Sequence, residues 1–174
     1  FENHFFSYNN ISIMADKIKY LVMDVDGTLT DGKIYMGTSG EILKAFDIKD
    51  GYGIHDMLIP YGITPVIITG RSSKILENRC RELSITDLFQ GIKDKIDVLK
   101  QYLCSNNSSL QEVAYIGDDL NDLPCMKLVK EAGGIIGCPA DAVSSVIEIS
   151  SFVSSKNGGD GAVRDFIEHL IESK

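Results

Sequence analysis

The sequence predicts an α/β protein built on a Rossmann-like parallel sheet with helices on both faces. From residue 20 onward, short apolar runs alternate with segments of helical periodicity, which is the pattern of parallel strands joined by helices. Three of the apolar runs end directly in polar or glycine-containing turns, as strands do where such a sheet forms a binding crevice. The length of 174 residues and the hydrophobic content of 44% fit one globular core.

Four segments are predicted to be strands, because each is a short run of apolar and β-branched residues next to turn residues. They cover residues 20–25, 64–69, 113–117 and 133–136. The carboxyl ends of parallel strands lie at one edge of a sheet, so the turns after the first three strands are expected to meet in one crevice.

Helices are predicted where apolar residues recur every three or four positions. We interpret the resulting stripes as faces that pack against the core. They comprise Ile75, Leu76, Cys80 and Leu83; Ile92, Ile96, Leu99 and Leu103; and Val163, Phe166, Ile167, Leu170 and Ile171.

One segment interrupts the alternation of strands and helices. Residues 33–48 have the pattern of two short strands around a turn that contains Gly37 and Gly40. A hairpin inserted directly after the first strand is expected to project as a flap over the crevice. Its exposed edges favour pairing with another subunit.

Composition and charge exclude several classes of protein. The formal net charge of −8 disfavours nucleic acid, and no basic stripe compensates for it. No run of about 20 apolar residues is present and residues 1–10 lack the features of a secretion signal, so we expect no membrane partner and a cytoplasmic location. The polar, Asn-rich residues 1–15 are interpreted as a disordered leader or a linker from a longer polypeptide.

A pair of carboxylates marks the end of the first predicted strand. Asp24 and Asp26 lie two residues apart, where burial makes a carboxylate costly unless a metal or hydrogen bonds compensate its charge. Gly27 and Thr28 follow, and the open backbone amides of such a turn can hold an anion beside the metal. The pair alone is weak evidence, because aspartates are common in turns.

A second acidic cluster follows the third predicted strand. Asp118, Asp119 and Asp122 open a helix, and capping of the helix N-terminus explains one of them but not all three. Oxygen ligands from two loops favour magnesium over zinc or copper. The cysteines form no CxxC pair and are interpreted as reduced core thiols; they are Cys80, Cys104, Cys125 and Cys138.

A hydroxyl and a lysine complete the candidate site. Thr69 ends the second predicted strand beside Gly70, and Lys95 lies near the start of a helix expected to begin around Lys93, where the helix dipole disfavours a cation without an anionic partner. Taken singly, Thr69 has the position of a helix cap and Lys95 that of a solvated lysine. Together with the acidic groups they supply the nucleophile, the metal site and the donors that phosphoryl transfer requires.

These residues resemble the four motifs of the haloacid dehalogenase superfamily, in order and at strand ends, over residues 18–171. The closer resemblance is to the 3-deoxy-D-manno-octulosonate 8-phosphate phosphatases, a branch of that superfamily without a cap domain. It assigns residues 16–174 to one phosphatase domain with the flap at about 33–48. The segments that carry it are DVDGTLTDG (24–32), DGYGI (50–54), ITGRS (68–72), Lys95, GDD (117–119) and GGDGAVR (158–164).

The resemblance implies a reaction in two steps. Asp24 attacks phosphorus and forms an aspartyl-phosphate. Asp26 protonates the leaving sugar oxygen and then deprotonates the hydrolytic water. Thr69, Gly70 and Lys95 bind the phosphoryl oxygens.

The resemblance also implies a Mg²⁺ cofactor. The Asp24 carboxylate, the Asp26 main-chain carbonyl and Asp118 hold the ion. Asp119 reaches it through water, and Asp122 steadies the loop.

The implied substrate is a phosphorylated 2-keto-3-deoxy sugar acid. Lys49, Asp50, Gly51 and Arg71 are expected to contact its carboxylate and hydroxyls. In place of a cap domain, the resemblance implies a homotetramer in which flaps associate and neighbours close each site. The glycine-rich tail would carry Arg164 toward an adjoining site, or else form only a flexible spacer before the last helix.

Three alternatives are open at this point. Nonulosonate 9-phosphate phosphatases, which also occur fused to sugar cytidylyltransferases, are similar over the whole length, but a Glu followed by Lys is typical there where this chain has Arg71 and Ser72. A non-catalytic oligomerising domain would lack a catalytic group, and none is missing. A phospho-receiver domain carries its phosphorylated Asp alone at a later strand, and it would hold its phosphate for longer than a phosphatase turns over.

Overall fold

The computed structural model describes residues 18–172, and the predicted leader at 1–15 lies outside them. Its centre is a six-stranded sheet in which all neighbouring strands are parallel, in the spatial order β5-β4-β1-β6-β7-β8. A separate antiparallel hairpin is formed by β2 and β3. The strands are β1 Tyr20–Met23, β2 Tyr35–Gly37, β3 Gly40–Leu43, β4 Thr64–Ile68, β5 Asp87–Phe89, β6 Val113–Ile116, β7 Ile135–Cys138 and β8 Phe152–Val153.

Helices cover both faces of the sheet. Side chains alternate along β1, so that Leu21 and Met23 pack on one face and Val22 packs on the other. The first face is covered by α1, the π-helical stretch, α2 and α6, and the second by α3, α4 and α5. The helices are α1 Ile48–Tyr52, which continues into the π-helical stretch Gly53–Leu58, α2 Lys74–Glu82, α3 Lys95–Ser105, α4 Leu123–Glu131, α5 Ser144–Ile149 and α6 Ala162–Glu172, with a 3₁₀ turn at Leu110–Glu112.

The predicted fold class is confirmed, including the flap after the first strand. The hairpin occupies residues 35–43 of the predicted segment 33–48. The last residue of that segment, Ile48, already belongs to a helix. The last of the four predicted strands corresponds to β7 and begins two residues later than predicted. The reason is that Gly133 adopts a φ of +89° in the turn that ends α4. The interpretation of the cysteines as core thiols is wrong for Cys104, which is exposed.

The register of the sheet brings the predicted turns together. From Tyr20 to Met23, β1 pairs residue for residue with β4 on one side and with β6 on the other. Asp24, Thr69 and Gly117, which follow these three strands, therefore lie at one edge of the sheet. The strand order reverses at this point, which is where open parallel sheets bind ligands. Within residues 18–172, no helix has the length and hydrophobicity needed to cross a membrane.

Candidate active site

The turn after β1 is wound around a single carbonyl oxygen. The backbone N–H groups of Thr28, Leu29 and Thr30 all donate to the Val25 carbonyl, at 3.2, 2.9 and 3.0 Å. The N–H of Asp24 still continues the sheet by donating to Ile116 of β6 at 3.1 Å. The turn therefore begins directly after Asp24 and leaves its carboxylate at the end of the strand.

Three carboxylates meet at this edge. Asp24, Asp118 and Asp122 each offer an oxygen, and these oxygens lie within 4.8 Å of one another. The Thr28 hydroxyl donates to Oδ1 of Asp118 at 2.9 Å, which ties the turn after β1 to the turn after β6. Asp24 and Asp122 are buried and Asp118 is half-buried.

Asp122 is occupied by protein donors. Its Oδ1 accepts hydrogen bonds from Lys95 Nζ and from the Tyr115 hydroxyl, both at 2.8 Å, and its Oδ2 accepts from the Asp118 N–H at 3.2 Å. These bonds fix the loop that carries Asp118. Of the three carboxylates, Asp24 and Asp118 are thus better placed to receive a cation.

Lys95 lies between two carboxylates. Its Nζ is 2.8 Å from Oδ1 of Asp24 and 2.8 Å from Oδ1 of Asp122. Burial lowers the pKa of Lys95, but the charges of Asp122 and Asp24 outweigh burial and leave this pKa above its ordinary value. Asp94 caps α3, so the helix begins at Lys95 and not at Lys93.

The site carries an excess of negative charge. Burial, together with the charge of Asp122 and against that of Lys95, raises the pKa of Asp24 to about 6. Burial also raises the pKa of Asp118 to about 7. The hydrogen bond from Thr28 lowers this pKa, and the charges of the nearby carboxylates raise it further. A divalent cation would favour the ionised forms of both groups, and their hard oxygen donors fit Mg²⁺.

Asp26 lies between two basic side chains. The Lys44 ammonium from the flap contacts its Oδ1, and Arg71 Nε from the turn after β4 lies 3.8 Å from its Oδ2. Glu41 of β3 lies 3.1 Å from Lys44 and 3.6 Å from Arg71. The sequence did not predict a role in the site for Lys44 or Glu41. The signal that points to them is their position as charged residues on a flap expected to cover the crevice.

Thr69 and Gly70 lie where the sequence predicted them. Thr69 is buried at the end of β4, with its N–H donating to Phe89 at 2.9 Å, and Gly70 is exposed beside it. The alternative that Thr69 caps a helix is wrong, because Ser73 is the N-cap of α2 and accepts the Leu76 N–H. That Thr69 and Gly70 bind the phosphoryl oxygens stays a prediction.

Two of the predicted substrate contacts lie inside the fold. Asp50 is 1% exposed, and its Oδ1 accepts the Arg164 N–H at 2.7 Å, so it caps the start of α6. Gly51 is buried against α2, where a Cβ would lie 2.3 Å from the Arg79 guanidinium. These positions argue against direct substrate contact by either residue. Lys49 is exposed at the start of α1.

Arg164 and Asp119 have local partners. The Arg164 guanidinium lies 5.3 Å from the centre of the Tyr52 ring, and its Nε donates to Glu168 at 2.6 Å. Asp119 is exposed, and its Oδ1 accepts the Leu120 N–H at 2.7 Å. A reach of Arg164 into an adjoining site and a water-mediated metal contact of Asp119 stay predictions.

The glycine-rich tail backs the turn after β1. A Cβ on Gly158 would lie 1.8 Å from the Gly27 carbonyl oxygen, and the Gly159 N–H donates to the Thr28 carbonyl at 3.1 Å. Gly159 has a φ of +66°, which favours glycine. The interpretation of this tail as a flexible spacer is therefore wrong, since it packs against the turn that follows Asp24.

The chain is similar to curated phosphatases over most of its length. It is 42% identical over 162 residues to the 3-deoxy-D-manno-octulosonate 8-phosphate phosphatase KdsC of Escherichia coli strain B, covering 93% of this chain and 84% of the relative. It is 43% identical over 157 residues to the corresponding enzyme of Yersinia pestis, covering 90% of this chain and 81% of the relative. No protein-family model matches the chain.

Solved structures of the same kind superpose on this fold. The crystal structure of the Yersinia pestis phosphatase has a TM-score of 0.87 and 41% identity, covering 95% of this chain and 86% of that chain. The phosphatase of Moraxella catarrhalis was solved with a magnesium ion, a phosphate ion and a KDO molecule. It has a TM-score of 0.87 and 36% identity, covering 95% of this chain and 92% of that chain. A haloacid dehalogenase superfamily hydrolase of Legionella pneumophila has a TM-score of 0.89 and 33% identity, covering 98% of this chain and 91% of that chain.

Proposed function

The chain belongs to the 3-deoxy-D-manno-octulosonate 8-phosphate phosphatase family of the haloacid dehalogenase superfamily, and on that basis we propose that it hydrolyses this sugar phosphate to the free sugar acid and phosphate. The observation that carries the proposal is the buried contact of Lys95 with Asp24, beside Asp118. It supplies a nucleophile, a cation and a metal site at the carboxyl ends of the strands. The relatives give no support to a phospho-receiver.

The first step belongs to Asp24. Its carboxylate oxygen attacks phosphorus, the bond from phosphorus to the sugar oxygen breaks, and an aspartyl-phosphate forms. Lys95 places a positive charge beside Asp24. Thr69 and Gly70 lie at the same edge of the sheet as Asp24 and would bind phosphoryl oxygens. Asp26, two residues from the nucleophile, gives its proton to the leaving oxygen. In the second step Asp26 takes a proton from the water that attacks phosphorus, the bond from phosphorus to the Asp24 oxygen breaks, and phosphate and free Asp24 form.

Mg²⁺ is the cofactor in this proposal. Asp24 and Asp118 would hold it with their carboxylates and Asp26 with its main-chain carbonyl, while Asp122 fixes the loop through its bond to the Asp118 N–H. When bound, the ion neutralises the charge on the nucleophile and on the phosphoryl oxygens. The excess of carboxylates over basic groups around Asp24 supports this assignment.

The proposal includes a homotetramer, supported by the exposed apolar residues of the flap and the adjacent helix. Met36, Ile42 and Ile48 are 61%, 59% and 81% exposed, and several exposed large apolar side chains in one short segment favour contact with another protein surface. A monomeric mass at working concentration in light scattering would count against the tetramer. The cytoplasmic location expected from the sequence stays a prediction.

A phosphate-release assay tests the substrate. Octulosonate 8-phosphate and nonulosonate 9-phosphate are compared at equal concentration, each with Mg²⁺ and with a chelator. We expect a higher kcat/KM for the eight-carbon acid and no turnover with the chelator. A preference for the nine-carbon acid would overturn the substrate and leave the mechanism intact, whereas full turnover without metal would overturn the cofactor.

A further inference from the structure

Lys44 is a buried cation on a mostly exposed flap. Its side chain is 1% exposed, whereas the adjacent Ile42 and Leu43 point to solvent. A lysine is rarely buried without partners, because desolvation of the ammonium is costly. Its partners are the carboxylates of Asp26 and Glu41.

The contact of Lys44 with Asp26 is part of a network that joins three elements. Glu41 fixes Lys44 from the side, at 3.1 Å, and is itself held by the hydroxyl of Ser73, the residue that caps α2. Arg71 lies 3.8 Å from Asp26, but its side chain is 42% exposed. Lys44 is therefore the desolvated cation of the pair around Asp26, and the one with the closer contact.

We propose that Lys44 is a positioning residue that holds the Asp26 carboxyl group in the orientation needed for proton transfer to the leaving oxygen. The inference rests on the proposed phosphatase function and on the role of Asp26 within it. Without Lys44, the cation left near both Asp26 and Glu41 is Arg71, which is 42% exposed and lies 3.8 Å from Asp26, so the Asp26 side chain is held less firmly. Because Lys44 belongs to the flap, the acid is in place only while the flap lies against the crevice.

The test uses the dependence of kcat/KM on the leaving group, because kcat/KM reports the steps up to cleavage of the phosphate ester. A sugar phosphate needs a proton on its leaving oxygen, whereas p-nitrophenolate leaves without one. We expect Lys44→Met to lower kcat/KM about 10- to 100-fold with the sugar phosphate, which is part of the contribution of general acid catalysis, and less than about threefold with p-nitrophenyl phosphate. Lys44→Arg should restore most of the loss.

Two reference variants frame this test. Asp26→Asn removes the acid itself and should show the same dependence on the leaving group, more steeply. Lys33→Met removes an exposed flap lysine that pairs with Asp31 at 3.1 Å and should leave both substrates unaffected. If Lys44→Met destabilises the fold by leaving two carboxylates together, the double variant Glu41→Gln/Lys44→Met relieves the repulsion and should still show the selective loss.

The outcomes separate this inference from the function on which it rests. An equal loss on both substrates, or no loss, in Lys44→Met while Asp26→Asn remains selective would overturn the role of Lys44 alone. No selectivity in Asp26→Asn would overturn the acid assignment and this inference with it. No hydrolysis of any phosphate ester by the unmodified protein would overturn the proposed function.

Discussion

The Lys95 ammonium nitrogen lies 2.8 Å from Oδ1 of Asp24, and both side chains are almost fully buried. The contact joins the first residue of α3 to the residue that directly follows β1. Asp122 holds the same nitrogen at 2.8 Å, so the ammonium is fixed from two sides. The Asp24 carboxylate therefore has a set orientation in the free protein, which reduces the cost of aligning it with phosphorus.

Replacement of the nucleophile tests the mechanism most directly. Asp24→Asn keeps the shape of the side chain but removes its ability to form an aspartyl-phosphate, so we expect phosphate release to fall by roughly three orders of magnitude or more. The thermal unfolding curve should remain cooperative. The control is Asp160→Asn at an exposed position of the tail. Ordinary turnover in folded Asp24→Asn protein would refute the assignment.

Binding of Mg²⁺ should stabilise the protein more at pH 8 than at pH 5.5. Burial raises the pKa of Asp118 to about 7 and that of Asp24 to about 6, so in metal-free protein both groups are largely protonated at the lower pH and must lose protons to bind the ion. An ion at 100 times its Kd stabilises a fold by about 2.7 kcal/mol. The measurement is the midpoint of thermal unfolding with chelator and with saturating Mg²⁺. Equal shifts at the two pH values would contradict this prediction.

The tail should be intolerant of a side chain at its first glycine. A Cβ on Gly158 would lie 1.8 Å from the Gly27 carbonyl oxygen, so Gly158→Ala must displace either the tail or the turn after β1. Since small displacements at a catalytic centre are costly, we expect kcat to fall about 100-fold. The matched control is Asn157→Ala, the exposed neighbour in the same segment. Similar kcat values for the two variants would show that the turn does not depend on this packing.

The parts of the site that the sequence predicts are those at the ends of buried strands. β1, β4 and β6 are runs of four or five residues, nearly all buried, and each is followed by a polar turn, so local pattern and tertiary position agree. β5 and β8 were missed because they have only three and two residues. The sheet recruits these segments through pairing with β4 and β7, and no local periodicity marks them.

The residues whose structural contacts the sequence did not predict depend on distant parts of the chain. Asp50 and Arg164 are 114 positions apart, and only the packing of α1 against α6 makes Asp50 a helix cap. The tail glycines likewise acquire their role from contact with Gly27, far away in sequence. A short motif predicts that such residues matter, but the fold decides whether they contact a ligand or another segment of the chain.

Removal of one buried hydroxyl should destabilise the loop behind the site. The Tyr115 hydroxyl donates to Oδ1 of Asp122 at 2.8 Å inside the core. Loss of a hydrogen bond to a buried carboxylate costs about 1–3 kcal/mol, so Tyr115→Phe should lower the free energy of unfolding by that amount. The control is Tyr20→Phe, because the Tyr20 hydroxyl lies 3.2 Å from the Ser108 hydroxyl at a part-buried position. Urea unfolding compares the two variants, and an equal loss in both would contradict the special place of Tyr115.

The Asp50 cap should make stability depend on pH. Burial raises the pKa of Asp50 from its ordinary value of 3.8 to about 6, against the hydrogen bond from the Arg164 N–H. The folded state therefore favours the protonated carboxyl group: its contribution to stability is complete below about pH 4 and is lost as the pH rises through about 6. A pKa difference of this size corresponds to about 3 kcal/mol.

Asp50→Asn tests this dependence, because the amide remains neutral at every pH and can still accept the Arg164 N–H. Between pH 4 and pH 8, the free energy of unfolding should fall by about 2–3 kcal/mol less in Asp50→Asn than in the unmodified protein, since the costly ionisation inside the fold is gone. Urea unfolding with saturating Mg²⁺ keeps the acidic cluster in one state at pH 8, and Asp160→Asn serves as the exposed control. Parallel pH profiles for Asp50→Asn and the unmodified protein would show that the capping carboxyl group does not change its protonation state on folding.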